Sequence, residues 1–334
     1  MNKRKIRVAI NGFGRIGRHV FKIGFDKWNI VAVNDLPLPT ETFAHLLKYD
    51  SLMGEYPKRV QASKSAIQVG AAKIPFLAFD HPKDIPWRDY GVDVVVESVG
   101  LFTDRKSASF HLRNGAKKVV ISAPSENEDL TLILGLNQNA YDPSKHHILS
   151  GGSCTANCLA WVLDIVDKAL GIDKAFMTTC HCYTQNQRLI DSPHKDLRRS
   201  RMAGINMIPT ATTAMDPTFK VLPHLKSKLK GIAIRVPIPN VSLVEVIINT
   251  QKKTSKTEVN QIFQQKARKN IYLDYTEVPL VSSDFMRNPK SAIIAGDLTE
   301  VVEGNMVHVI AWYNNEWGYS NRIAEIVEHA WVKI

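Results

Sequence analysis

The pattern Asn11-Gly12-Phe13-Gly14-Arg15-Ile16-Gly17-Arg18 lies between a short apolar strand, Arg7 to Ile10, and a helix running to about Asp26. A G-x-G-x-x-G turn in that position restricts a chain to few folds. Its glycines let the backbone approach a pyrophosphate, which rests on the N–H groups of the helix. Ile30 to Asn34 reads as the next strand and ends at Asp35, 18 residues beyond Gly17. An acid at that distance is placed to hold a ribose 2′-hydroxyl. Strand, helix and acid together predict a dinucleotide site.

The alternation continues downstream. Thr40 is expected to N-cap a helix through Tyr49, and Ser65 to Phe79 carries strands that turn near Gly70. Val92 to Glu97 is a buried-type strand opening on Ser98-Val99-Gly100. A helix from Asp104 to Asn114 stops at Gly115, and Lys118 to Ile121 is a further strand. The class is α/β, a Rossmann-type doubly wound parallel sheet with ligand at the strand C-termini. Beyond a helix from Thr155 to Leu170 the character changes. Lys174 to Thr184, Gly231 to Pro237, Val241 to Thr250 and Asn305 to Trp312 are long strands grouped together, with one helix capped by Thr257. They predict an α+β catalytic domain with a mostly antiparallel sheet. The last helix sets Ile323, Ile326, Val327, Ala330 and Trp331 on one stripe, the spacing of a packed face. The expected domains are 1–152, joined by the terminal helix 317–334, and 153–316.

Chemistry points to Gly151-Gly152-Ser153-Cys154-Thr155-Ala156-Asn157-Cys158, which joins the strand His147 to Ser150 to that second helix. A helix start leaves N–H groups free and favours negative charge, so a cysteine there has a stabilised thiolate and becomes a nucleophile. The competing reading is a buried structural cysteine, which suits Cys158 better than Cys154. Cys180-His181-Cys182 supplies a candidate base. Strand alternation sets both cysteines on one face and His181 on the other. The spacings also miss those of a zinc knuckle, so no metal is expected. His181 is read as the partner that takes the Cys154 proton, with a hydrogen-bonded core histidine as the alternative.

A net charge of +11 fits nucleic acid or anionic small substrates equally well. Four clustered cysteines suggest a reducing, cytoplasmic setting. No apolar run reaches the roughly 18 residues of a membrane helix, and no signal peptide is read at the start. Gln185 to Met207 has no period and carries Arg188, His194, Lys195, Arg198, Arg199 and Arg201. A loop of that length tends to be functional.

Five blocks together resemble the phosphorylating glyceraldehyde-3-phosphate dehydrogenase family, over nearly the whole chain. They are Asn11–Arg18, Leu47-Lys-Tyr-Asp-Ser51, Ser153–Cys158, Arg235-Val-Pro-Ile-Pro-Asn-Val-Ser242 and Trp312-Tyr-Asn-Asn-Glu-Trp-Gly-Tyr-Ser-Asn-Arg322. The resemblance implies that Cys154 attacks an aldehyde, that hydride passes to NAD, and that inorganic phosphate cleaves the resulting thioester. Gly12, Phe13, Gly14, Arg15, Ile16, Gly17 and Asp35 would hold NAD, with Ser98, Gly100 and Ser122 beside it. Asn315 would contact the nicotinamide amide, with Tyr319 nearby. Thr184 and Arg235 would hold the phosphate of the aldehyde substrate. Ser153, Thr155, Thr212 and Thr213 would hold the attacking phosphate, with Arg199 near both. A homotetramer is implied, its 185–207 loop lining a neighbour's cofactor site.

Several positions depart from that pattern. Gly151-Gly152 replaces Asn-Ala, Ala156 replaces a Thr, and Val99 replaces a Thr near the cofactor. The usual Thr-Gly-Ala-Ala-Lys is Thr212-Thr213-Ala214-Met215-Asp216, and an Asp is missing after Ser291-Ala-Ile-Ile. Three functions therefore stand: a phosphorylating dehydrogenase of a small sugar phosphate, a non-phosphorylating relative such as an erythrose-4-phosphate dehydrogenase, and a binding protein for nucleic acid or partners. The basic loop lacks the interleaved aromatics of a single-strand stacking platform, and Cys154 with His181 favours an enzyme.

Overall fold

The computed structural model describes residues 4–332, which divide into two compact units. The first comprises 4–132, 137–152 and 320–332, and the second 133–136 and 153–319.

In the first unit, β1 (Arg7–Asn11), α1 (Arg15–Gly24), β2 (Asn29–Asn34) and α2 (Thr40–Lys48) open the chain. Then come β3 (Val60–Ser63), β4 (Ala66–Val69), β5 (Ala72–Leu77), β6 (Val94–Glu97), α3 (Arg105–Arg113), β7 (Lys118–Ile121), β8 (Leu130–Thr131) and β9 (Ile148–Ser150). They make one sheet in the order β3-β4-β5-β2-β1-β6-β7-β9-β8, parallel except for the β3-β4-β5 meander. Val8, Ile10, Val94, Val95, Val96, Val119 and Val120 have no exposed surface, as expected of parallel strands covered on both faces. The order turns back between β1 and β6, the topological switch point where such sheets bind ligands.

Buried polar groups pin that point. Asn11 Nδ2 donates to Glu97 Oε2 at 2.6 Å, and Glu97 Oε1 accepts the Val99 N–H at 2.8 Å. Trp87 Nε1 donates to His111 Nδ1 at 2.8 Å. The proton of His111 therefore sits on Nε2, which donates to Glu97 at 2.9 Å. One carboxylate thus holds both turns that follow β1 and β6.

The second unit is built on α4 (Cys154–Leu170), followed by β10 (Ile172–Cys182), β11 (Ile208–Thr210), α5 (Met215–Val221), β12 (Leu229–Val236) and β13 (Ser242–Thr250). Next are α6 (Lys256–Arg268), β14 (Leu273–Thr276), β15 (Ala292–Ala295), β16 (Glu300–Val302) and β17 (Met306–Tyr313), and α7 (Trp317–Val332) runs on into the first unit. The sheet order is β11-β12-β10-β13-β17-β15-β14, with β16 on β17. The β10–β12 and β14–β15 pairs are parallel and the others antiparallel. Helix α4 is apolar nearly all round and packs into the core of this unit.

Some local expectations fail. Thr40 is the first residue of α2, not its cap; Pro39 stands before it, and the Thr40 hydroxyl goes to Lys64 O. Ser255, not Thr257, caps α6 by accepting the Glu258 N–H. Helix α1 stops at Gly24, short of Asp26. Strand β3 begins earlier than the alternating pattern suggested. Ile323, Ile326, Val327 and Ala330 are buried, but Trp331 is only half-buried, with Arg4 and Lys117 over its ring at 5.3 and 5.5 Å. An indole face attracts cations at a partly wet site.

Candidate active site

The turn after β1 fits a dinucleotide. Gly12 has φ +93°, and a Cβ there would lie 2.5 Å from Val99 N; a Cβ on Gly17 would meet Gly12 O at 2.0 Å. Only glycine allows these approaches. Gly14, by contrast, faces open space, and α1 starts without a side-chain cap or an acid in its first turn. An uncapped helix start is a place where an anion can rest. The Phe13 ring is buried edge-on against Phe21 and Phe76, while its N–H donates to Asp35 Oδ2. Asp35 also accepts the Leu36 N–H at 2.7 Å, so its carboxylate is oriented before a ribose arrives. Arg15 pairs with Asp50 at 2.9 Å, and Ile16 is half-buried on the same turn. Ser98 Oγ donates to Gly12 O at 2.7 Å, Gly100 is open with φ +82°, and Ser122 N bonds to Glu97 O. In the second unit, Asn315 is 7% exposed, and its Oδ1 is buried with no partner among the described residues. A sealed acceptor of that kind suits a carboxamide N–H. Tyr319 is buried, and burial pushes its hydroxyl pKa far up.

Cys154 is the first residue of α4, whose start is fixed by Ser153: its Oγ accepts the Ala156 N–H at 3.1 Å. The thiol sulfur lies 3.5 Å from His181 Nε2. Burial raises the Cys154 pKa, opposed by the charge of Arg235, the Thr155 hydroxyl, and the backbone N–H groups of Thr155 and Cys154. Burial, with Arg235 and Arg199 adding to it, lowers His181 to about 3. The imidazole is thus held neutral, and the same burial and charges weaken it as a base until negative charge develops beside it. Its Nδ1 is 2.7 Å from Cys182 O, and Arg235 Nη1 abuts the same nitrogen. The two contacts ask opposite things of Nδ1: donation of Nδ1–H to that carbonyl leaves the Nε2 lone pair for the thiol, whereas acceptance from the guanidinium puts the proton on Nε2. Cys158 is sealed in the core, and burial raises it well above the ordinary thiol value.

Parallel pairing of β10 with β12 sets His181 opposite Arg235 in register. A hydroxyl chain that the sequence did not suggest runs behind the thiol. Thr155 Oγ1 is 2.8 Å from Tyr313 OH, which is 2.9 Å from Thr179 Oγ1, and Thr179 donates to Leu243 O. Strand period alone places Thr179 on the His181 face; nothing local marks Tyr313. Thr155 is 5% exposed, with its hydroxyl already engaged by Tyr313.

The expected phosphate ligands are placed as follows. Thr184 ends the strand region and bonds to Gln187. Arg199 Nε donates to Thr210 Oγ1 at 2.9 Å, and Asp196 accepts from Thr210 at 2.6 Å. Thr212 Oγ1 accepts the Ala214 N–H at 3.2 Å, and Thr213 is exposed. Asp216 lies in the first turn of α5 and pairs with Lys220 at 3.3 Å. Among the described residues, no group of three or more His, Cys, Asp and Glu could hold a metal ion, and no helix is long and apolar enough to cross a membrane.

Residues 6–105 match the glyceraldehyde 3-phosphate dehydrogenase NAD-binding domain, and residues 153–315 match the C-terminal domain of the same family. The chain is 47% identical over 329 residues to glyceraldehyde-3-phosphate dehydrogenase 2 of Bacillus subtilis, covering 97% of this chain and 96% of that one. It is 48% identical over 328 residues to glyceraldehyde-3-phosphate dehydrogenase of Streptomyces coelicolor, covering 96% and 97%. With that of Trichormus variabilis, glyceraldehyde-3-phosphate dehydrogenase 2, identity is 45% over 337 residues, covering 98% and 100%.

The chain belongs to the glyceraldehyde-3-phosphate dehydrogenase family.

As a member of that family it is an NAD-dependent oxidoreductase. The glyceraldehyde-3-phosphate dehydrogenase fold is present in both units, and the departures from the family pattern include the turn 212–216 in the second, which precedes and opens into α5.

Proposed function

We propose that the protein oxidises D-glyceraldehyde 3-phosphate with NAD and inorganic phosphate, giving 1,3-bisphosphoglycerate and NADH. The observation that carries this reading is the 3.5 Å approach of the Cys154 thiol to a neutral His181 at a helix start, with Arg235 alongside. His181 Nε2 takes the thiol proton as Sγ bonds to the aldehyde carbon, forming a hemithioacetal. N–H groups at the start of α4 stabilise the developing oxyanion. Bound NAD supplies the hydride acceptor. The imidazolium returns the thiol proton to the oxyanion, giving the hemithioacetal hydroxyl, and His181 accepts it again as the carbon gives up hydride and becomes a thioester on Cys154. A phosphate oxygen then attacks the thioester carbon, the acyl phosphate leaves, and the Cys154 thiolate is regenerated.

Thr184 and Arg235 are read as the ligands of the substrate phosphate, and Ser153 and Thr212 as those of the attacking phosphate, with Arg199 near both; Thr213 would serve through its backbone alone, and Thr155, whose hydroxyl proton goes to Tyr313, drops out of the expected set. Ser153 suits that role because its oxygen accepts from Ala156 and its own proton is free to point outward. We assign a homotetramer in the cytoplasm. Leu189, Ile190, Leu197, Ile205 and Met207, all in the 185–207 loop, are 67% or more exposed, and so much apolar surface on one loop marks an interface. Sedimentation at micromolar concentration tests this: a monomer would refute it. The catalytic reading is tested by following NADH with each aldehyde, with and without phosphate. Formation of free acid at the same rate without phosphate would replace it by the non-phosphorylating alternative.

A further inference from the structure

Two hydrogen-bond donors near the C-terminal ends of β10 and β12 are sealed from water with no partner among the described residues: Nε2 of Gln187 and Nε of Arg235. Gln187 is 5% exposed. The two strands run parallel, with Cys182 opposite Val236, and the pairing continues as Tyr183 N bonds to Ile238 O at 3.2 Å. Both donors therefore belong to one end of the sheet, the end that carries His181.

The other end of the Gln187 amide is committed. Its Oε1 accepts the Thr184 N–H at 2.8 Å and the Thr184 hydroxyl at 3.3 Å, while the Gln187 N–H donates to Thr184 O at 3.0 Å. Turning the amide over would set its NH2 group against the Thr184 N–H, donor against donor. Nε2 is therefore held in place, one amide width from the atom that touches Thr184. A buried donor left unmade costs free energy, which is recovered when an acceptor arrives. The charge of the region fits an anion: Arg235 and Arg199 are both close enough to depress His181.

We infer that Gln187 is a third donor to the phosphate of the substrate, its Nε2 joining Thr184 and Arg235 around a phosphate monoester. This rests on the reading above that those two residues hold that group. As the dianion binds, the Thr184 hydroxyl turns from Oε1 to a phosphate oxygen. Oε1 keeps the Thr184 N–H, and the freed side gives the phosphate access to Nε2. Gln187 then sets selectivity for phosphorylated over unphosphorylated aldehydes. A side chain that only holds the 184–187 turn would affect both substrates alike.

The test uses Gln187→Glu, which keeps the acceptor for Thr184 and loses the donor, and Gln187→Met, which is neutral and of similar length. If the Met variant does not fold, Gln187→Asn, which withdraws the same amide, takes its place. Steady-state kcat and KM are measured for D-glyceraldehyde 3-phosphate and for D-glyceraldehyde. In both variants KM for the phosphorylated aldehyde rises about tenfold or more, the worth of a charge-assisted hydrogen bond, and kcat/KM for D-glyceraldehyde changes less than about threefold. Equal losses for the two aldehydes, or no loss, would overturn the inference. A selective loss in Gln187→Glu alone overturns it too, since that reports only repulsion by a new charge. A wild-type enzyme with no preference for the phosphorylated aldehyde would remove the underlying reading of Thr184 and Arg235 as well.

Discussion

His181 Nε2 lies 3.5 Å from the sulfur of Cys154, across 27 residues of sequence, and burial with two nearby arginines lowers the pKa of that ring to about 3. A neutral imidazole at that distance can take the thiol proton and pass it on later in the cycle.

Removing either member should separate chemistry from binding. Cys154→Ser is expected to abolish oxidation while NAD binding and melting temperature stay close to wild type. His181→Asn should slow turnover by roughly 10² to 10⁴, the range for a positioned acid–base. Retention of more than a few per cent of turnover by Cys154→Ser would rule out a covalent route. Iodoacetamide followed by peptide mapping should find Cys154 labelled before Cys158 and Cys182, which are buried.

Strong preference for NAD over NADP is expected from Asp35. Its carboxylate is fixed by the N–H groups of Phe13 and Leu36, and the following Leu36-Pro37-Leu38-Pro39 offers no cation. A phosphate about 4 Å from a carboxylate costs on the order of 4 kcal/mol at an effective dielectric of 20, and half of that leaves about 30-fold in affinity. Comparable kcat/KM for the two cofactors would contradict this.

The attacking-phosphate site should be weaker than the substrate-phosphate site. A side chain at Thr213 narrows the approach to backbone N–H groups, and the Ala214 N–H is already taken by Thr212 Oγ1. Asp216 adds negative charge, reduced by its pairing with Lys220. KM for inorganic phosphate is expected to be high and to fall in Thr213→Gly with Asp216→Lys, with the larger share from position 213. An unchanged phosphate KM in the double variant would end this account.

Acid sensitivity should trace in part to Asp50. Burial alone would raise its pKa, but the N–H groups of Met53 and Leu52 and the charge of Arg15 outweigh it and bring the value to about 2. Its side chain is 1% exposed. The folded pKa lies below the unfolded value, so the stabilisation is present above pH 3.8 and is lost as pH falls towards 2. Asp50→Asn should therefore cost on the order of 2 kcal/mol at pH 7 and much less near pH 2. Denaturant melts at both pH values check it; equal losses would show that the carboxylate charge plays no part.

Local signals were enough to read the strand–turn–helix of the first unit and the helix start at Cys154. The Gly12 to Gly17 turn, Asp35 and the Cys154 helix start each depend on contacts within about one strand–turn–helix, so spacing and capping chemistry reveal them. Period 2 likewise put His181 on the face opposite Cys180. Cap positions were read less well: Thr40 and Thr257 look like caps by type, but Pro39 and Ser255 hold the places that the backbone dihedrals select. What no local pattern contains is which strands lie side by side. Pairing of β10 with β12 brings Arg235 against His181 across 54 residues, and packing of α4 on β17 carries Tyr313 to Thr155 across 158. Those partners set the charge and hydrogen bonding around the thiol. Hydrogen-bond ladders between distant segments and burial in a shared core decide them, and both exist only once the chain has folded.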